Sequence, residues 1–416
     1  MSPLDETTFD GIRLGQWLAG QADDRGLSRR RLLQLGAVAT AALSGAAALP
    51  AAAPAAAGPI VKPLPPELFY LHGTNAEMRW EAMAGQGYHT PIDRFFVRNH
   101  TATPAIDADT WRLELFGTGL RGNPVSFSYR QLRRLPSTTY DATIECAGNG
   151  RGFYTTQQGQ TVSGTPWKLG AVGVARWRGV RLSTVLRRAG LRHDAVDVMP
   201  EGLDAEWGTG GVNLGHVRRS LPVAKALHDV LLAYEMNGQP LPPDHGFPVR
   251  VIVPGWIGIS AIKWLGRIEV SSTPLFSPWN TQFYRLFGPG YPAEGEPINR
   301  QVIKSAFEIP WAAALAVGDH VLTGRSWSAN GPIRDVEIST DGGATWRRAN
   351  RIGPSHAGGW QRWSLPWKAV TPGEYTLRAR ATDVRGVTQP EQSPHNTLGY
   401  LFDAVVAHPV TVLAPA

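Results

Sequence analysis

The stretch 144–151 reads Ile-Glu-Cys-Ala-Gly-Asn-Gly-Arg and contains Cys146, the only cysteine in 416 residues. A single sulfur excludes an intrachain disulfide and leaves three chemistries open. Cys146 is a small buried hydrophobe, a nucleophile, or a thiolate ligand to a soft transition metal. A nucleophile needs a base and an acyl-binding pocket, and nothing nearby suggests either. A metal held by one thiolate needs its other ligands from an organic cofactor. The chain has no Cys pair, no His-x-x-x-His and no Cys-x-x-Cys-His that would make a different metal or haem site.

The elements that position this cysteine are short. Hydrophobic content of 43% with 18% charged residues is globular, and 46 Gly with 33 Pro favour brief strands joined by turns. At 416 residues the chain is long enough for two domains behind a leader. Ser128 to Leu135 reads as a capped helix stopping before Pro136, and Ser183 to Gly190 as a second. Strands are expected at Trp111–Phe116, Asp229–Glu235 and Pro248–Val253, with a turn at Met236-Asn-Gly-Gln-Pro-Leu. Beyond Gly288-Pro-Gly-Tyr-Pro the pattern is almost all strand, at 320–328, 336–340 and 374–382. That spacing argues for an immunoglobulin-like sandwich. Its tryptophans are expected on an exposed face that pairs two copies.

Residues 1–57 read as a leader. Ser28-Arg29-Arg30-Arg31-Leu32-Leu33-Gln34 resembles the twin-arginine export signal, followed by an alanine-rich apolar run and small-residue cleavage sites. The expected location is periplasmic or extracellular, and the route suggests a cofactor loaded before export. The leader's five arginines cancel its five acidic residues, so the net charge of +7 lies in the mature part and suits small anions. No Lys/Arg run points to nucleic acid.

Phe96-Val97-Arg98-Asn99-His100, Glu145-Cys146-Ala147-Gly148-Asn149 and the segment 170–182 resemble the sulfite oxidase family of molybdopterin-dependent oxidoreductases. The likeness continues in order through 231–238, Asp244 to Arg250, Lys263 to Arg267 and 339–346, and spans about residues 65–410. It is to the exported bacterial form without a haem domain. The resemblance implies a mixed α+β molybdenum-cofactor domain over 58–288 and an immunoglobulin-like β-sandwich dimerisation domain over 289–416. It implies molybdenum carried on a pterin dithiolene, with Cys146 as the protein ligand. His100, Asp204, His245, Arg250 and Lys263 fall at cofactor-binding positions, the last two suiting the phosphate. Ala261 departs from the serine common two residues before the lysine, and a lost side-chain contact is expected there.

Arg98 and Arg151 fall at substrate positions, with Trp167 as a wall, although the stretch between Cys146 and Trp167 is two residues longer than the family pattern. Tyr284, five residues after Trp279, supplies a hydroxyl near the metal. Many relatives place a third substrate arginine seven residues before a tryptophan; counting back from Trp363 gives His356, with Arg362 as the alternative. The implied reaction is oxidation of sulfite to sulfate by oxygen-atom transfer. No segment suits a fused haem domain, so a separate electron acceptor is expected, a c-type cytochrome among the candidates, together with a homodimer. The alternatives are a relative acting on another sulfur or oxyanion substrate, of sulfane dehydrogenase or nitrate reductase type, and a non-catalytic exported binding protein.

Overall fold

The computed structural model describes residues 59–414. The leader motif and its cleavage region lie outside the described residues. Among the described residues no helix is long and apolar enough to cross a membrane.

The first half is built on two five-stranded sheets. In one, Arg112–Phe116 pairs antiparallel with Val125–Ser128 and parallel with Leu265–Ser271, which pairs in turn with Asp197–Gly202. Leu113 and Leu115 alternate inward from Arg112–Phe116, as period two requires. In the other, Ser137–Glu145 pairs with Val172–Arg181, and that strand with Leu231–Met236. Leu231–Met236 also receives Arg250–Ile252 on its flank. The expected turn is a tight hairpin pairing Met236 with Gln239, and Asn237 and Gly238 adopt φ of 51° and 79°. Those positive values are what an Asn-Gly hairpin supplies at low strain.

Short helices close the core. Tyr129–Arg133 has a full capping box: Gln131 N–H donates to Ser128 Oγ at 3.2 Å, and Ser128 N–H to Gln131 Oε1 at 2.7 Å. Leu182–Arg188 ends before Gly190, whose φ is 83°. Leu132, Val185 and Leu186 pack with Leu113, Leu232, Val251 and Ile268 in one apolar cluster. The same cluster holds Val251 and Ile262, the neighbours of Arg250 and Lys263.

The second half is a sandwich. One sheet runs Lys304–Phe307, Gly318–Trp327, Trp360–Ala369 and Asn350–Ile352. The other runs Ala313–Ala316, His408–Leu413, Gly373–Asp383, Ile333–Ser339 and Arg347–Arg348. Phe307, Leu322, Trp363 and Leu365 of the first face Ile338, Leu377, Ala379 and Val410 of the second. Tryptophans expected on an exposed face are instead inside: Trp327, Trp360 and Trp363 are at most 1% exposed. Trp327 and Trp360 point toward the first half, where both meet Trp80 at ring distances of 5.7 and 6.0 Å. Beside them Arg325 pairs with Glu308 at 2.6 Å and donates to the Tyr88 carbonyl at 3.0 Å. Large aromatic area was therefore spent on joining the two halves of one chain.

Candidate functional site

Strand Ser137–Glu145 ends and the chain turns at Cys146. The Cys146 amide donates to the Ala171 carbonyl at 2.9 Å, and the Asn149 amide closes the turn on the Cys146 carbonyl at 2.9 Å. Gly150, at φ 94°, then starts the helix Arg151–Thr156. At Gly148 a Cβ would lie 2.5 Å from the Arg151 guanidinium, which would have to shift to admit it. The thiol is left partly exposed in a cleft enclosing about 740 Å³ with its open mouth included.

Eight of the residues singled out in the sequence line this one cleft: Arg98, His100, Cys146, Asp204, His245, Arg250, Lys263 and Tyr284. Its cations lack carboxylate partners: none of Arg98, Arg250 and Lys263 forms an ion pair among the described residues. Arg250 is 4% exposed and spends two N–H groups on the carbonyls of His245 (2.9 Å) and Ala261 (3.0 Å). Its Nε has no partner, and burial lowers its pKa to about 9. Lys263 donates to the Asp244 carbonyl at 2.8 Å and to Asn99 Oδ1. Burial, then the charge of Arg250, holds its ammonium well below the usual lysine range. Cations in a cleft that form no ion pair favour an anion among them.

The two histidines are neutral. Burial is the main cause for each; the charges of Arg98 and Lys263 add to it at His100, and those of Lys62, Lys263 and Arg250 at His245. His245 Nε2 is buried without a partner. Asp204 is 2% exposed, and burial pushes its carboxyl up to about 6. Tyr284, at φ 57°, stacks on Tyr400 with ring centres 5.2 Å apart. Burial raises its hydroxyl above the usual range, so it stays a proton donor.

The orphaned Nε atoms of Arg250 and His245 and the unpaired cations fit a polar heterocycle ending in a phosphate. Gly246, where a Cβ would meet Arg250 Cβ at 2.9 Å, lets the loop carrying His245 close over them. Cys146 fits as the single protein thiolate. No group of three or more His, Cys, Asp or Glu side chains gathers around a common point among the described residues. A metal at Cys146 therefore takes its remaining ligands from the organic group.

Three candidates do not reach the cleft. Arg151 donates to the carbonyls of Leu398 (2.8 Å) and Thr165 (3.0 Å), and its guanidinium lies 5.2 Å from the Tyr400 ring. Trp167 is 1% exposed and packs behind Phe95, Phe96 and Ile144, which do form the wall. His356 is exposed, with its ring edge-on to Tyr88 at 5.7 Å. Its loop is tied to the first half where the Gly358 carbonyl accepts the Thr143 amide (2.6 Å) and hydroxyl (2.9 Å). Arg362 does not line the cleft either. Ala261 lines it with its methyl group, so no side-chain hydrogen bond is made from that position.

Sequence reasoning missed Asp244 as a wall residue. Its carboxylate accepts the amides of Val61 (2.9 Å) and Lys62 (2.8 Å) and the Thr103 hydroxyl (2.6 Å). The Pro-rich arm is thereby pinned to the loop that carries His245. The Asp-His pair in one quoted block was the available signal. Trp279, noted only as a spacing mark, donates from Nε1 to His100 Nε2 at 3.2 Å.

Residues 100–279 match the family described as Oxidoreductase molybdopterin binding domain, and residues 297–411 the Mo-co oxidoreductase dimerisation domain. The chain thus carries a molybdopterin-binding domain of oxidoreductase type followed by a dimerisation domain. The chain belongs to the sulfite oxidase family. It is 38% identical over 319 residues to the mitochondrial sulfite oxidase of Rattus norvegicus, covering 72% of this chain and 56% of that one. Sulfite oxidase of Gallus gallus is 37% identical over 338 residues, covering 76% of this chain and 71% of that one. The chain thus spans just over half the length of the rat relative. The crystal structure of the sulfane dehydrogenase SoxCD from Paracoccus pantotrophus superposes with a TM-score of 0.68 at 28% identity. That match covers 80% of this chain and 82% of the other.

Proposed function

We propose that the protein oxidises sulfite to sulfate, with water supplying the fourth oxygen and two electrons and two protons released. The observation that carries this reading is Arg98: its guanidinium makes no hydrogen bond or ion pair among the described residues, yet it lines the same cleft as Cys146 and the Tyr284 ring. A free, permanently charged fork beside the thiolate is a binding site for a small oxyanion.

When bound, the molybdenum cofactor supplies the oxygen-atom transfer and stores the two electrons. The protein's part is to hold and orient. Cys146 would supply the thiolate. Arg250 and Lys263 would take the phosphate, while His100, Asp204 and His245 would meet the ring nitrogens as neutral or weakly acidic partners. Arg98 would hold the dianion, and the Tyr284 hydroxyl would donate to an oxygen of substrate or product. Arg151 and Trp167 would act from behind, through Tyr400 and the Phe95–Phe96 wall.

Export by the twin-arginine route, a homodimer and a separate one-electron acceptor such as a c-type cytochrome complete the proposal. Steady-state assays with an artificial one-electron acceptor test it. Sulfite should give the highest kcat/KM. Preference for a sulfane-sulfur donor, or reduction of nitrate, would move the chain to a different branch of its family. Molybdenum and pterin below stoichiometry in purified protein would support the non-catalytic binding alternative.

A further inference from the structure

Glu145, the residue before Cys146, is 2% exposed, and its carboxylate collects three N–H donors. Asn149 Nδ2 donates at 2.9 Å from within the turn. The other two come from the sandwich: Lys304 Nζ at 2.6 Å and Trp327 Nε1 at 3.1 Å. Lys304 and Trp327 sit opposite each other at one end of the ladder between Lys304–Phe307 and Gly318–Trp327. That sheet end faces the cysteine turn directly. Asn149, fully buried, carries the hold onward by accepting the Ala171 amide at 3.0 Å.

A buried ion pair is weak ground for net stability, because desolvation offsets most of its attraction. What it fixes is geometry, since charge-assisted hydrogen bonds are short and directional. We propose that Lys304 and Trp327 of the dimerisation domain are positioning residues for Cys146, gripping Glu145 so that the sulfur is held at one place in the cleft. The domain that assembles the protein also sets the thiolate. This rests on the reading of Cys146 as the metal thiolate.

Because Cys146 is the sole thiol, alkylation by iodoacetamide reads one site. Two variants loosen the grip differently. Glu145→Gln combined with Lys304→Met removes both charges and strands neither. Trp327→Phe keeps a six-membered aromatic ring and deletes the N–H with the rest of the five-membered ring. In cofactor-free protein the rate is compared at its alkaline plateau, where the thiolate is complete and a shifted titration does not enter. The double variant should react about threefold faster or more, as a loosened turn opens more often, and Trp327→Phe should move the same way by less. In loaded protein kcat should fall about tenfold in the double variant while KM stays within about twofold. Unchanged alkylation in both variants overturns the proposal, as does a loss confined to KM. Faster alkylation in a protein found to bind no molybdenum would sink the metal reading and leave the positioning of Cys146 standing.

Discussion

Trp279 Nε1 donates to His100 Nε2 at 3.2 Å, with the two rings edge to face at 5.7 Å. Indole nitrogen only donates, so His100 Nε2 must be the bare acceptor and Nδ1 must carry the proton. A tautomer fixed this way presents one N–H donor in a cleft otherwise rich in cations. Replacing Trp279 by Phe keeps most of the packing and removes that control. Pterin retention should weaken by about fivefold, the worth of about one hydrogen bond. Release of fluorescent pterin from the holoprotein on dilution measures it.

Cys146→Ser should abolish most sulfite turnover, since oxygen is a harder donor than sulfur. The fold should survive, because the turn is closed by backbone bonds from Cys146 to Ala171 and Asn149. Circular dichroism and thermal midpoint should match the parent. Full activity would remove Cys146 from the metal.

Arg98→Gln should weaken inhibition by sulfate about tenfold or more, the range for a charge-assisted contact. His356→Ala should leave that inhibition unchanged from mildly acid to mildly alkaline pH, because the histidine stands outside the cleft against Tyr88. A pH slope in the parent that vanishes in His356→Ala would show that His356 reaches the anion in the assembled dimer.

Asp204 gives a pH signature in the cofactor-free protein. Its folded carboxyl, at about 6 against an ordinary 3.8, binds its proton more tightly than the unfolded one. The contribution is therefore favourable at acid pH and is lost as pH rises from about 4 through about 6. Asp204→Asn removes this term. Its unfolding free energy relative to the parent should improve between pH 4 and pH 7.5, by on the order of 1–3 kcal/mol. Urea melts at both pH values check the sign, and an equal difference at both would show that Asp204 ionises freely.

Arg325 is fully buried between the halves, where it meets Glu308, Tyr88 and Trp360. Arg325→Met strands the Glu308 carboxylate and should destabilise by about 3–5 kcal/mol. Combining it with Glu308→Gln should recover a large part of that. Thermal melts of the single and double variants give the comparison.

Local order was legible wherever neighbouring residues decide it. Ser128 and Gln131 specify a capping box, Asn237-Gly238 a tight hairpin, and Leu377-Arg-Ala-Arg-Ala a half-buried strand, because each signal acts within a few residues. Strands Ser137–Glu145 and Trp360–Ala369 were not. The first begins with Ser-Thr-Thr-Tyr and looks like loop. The second contains Pro366, tolerated because the neighbouring strand Asn350–Ile352 pairs only as far as Ser364.

The site divides along the same line. Motif order and the family resemblance it carries brought eight cleft residues into view, while burial in the folded chain is what leaves the cations unpaired and the histidines neutral. Position was another matter. Whether Arg151, Trp167 and His356 face the cleft depends on carbonyls contributed by Leu398, Thr165 and Gly358, the last bound by Thr143. The burial of Trp327 and Trp360 depends on Trp80, more than two hundred residues away in sequence. The sequence alone determined which groups were available for the chemistry. Only the tertiary structure decided which of them meet, because a side chain's direction is set by partners that no local pattern names.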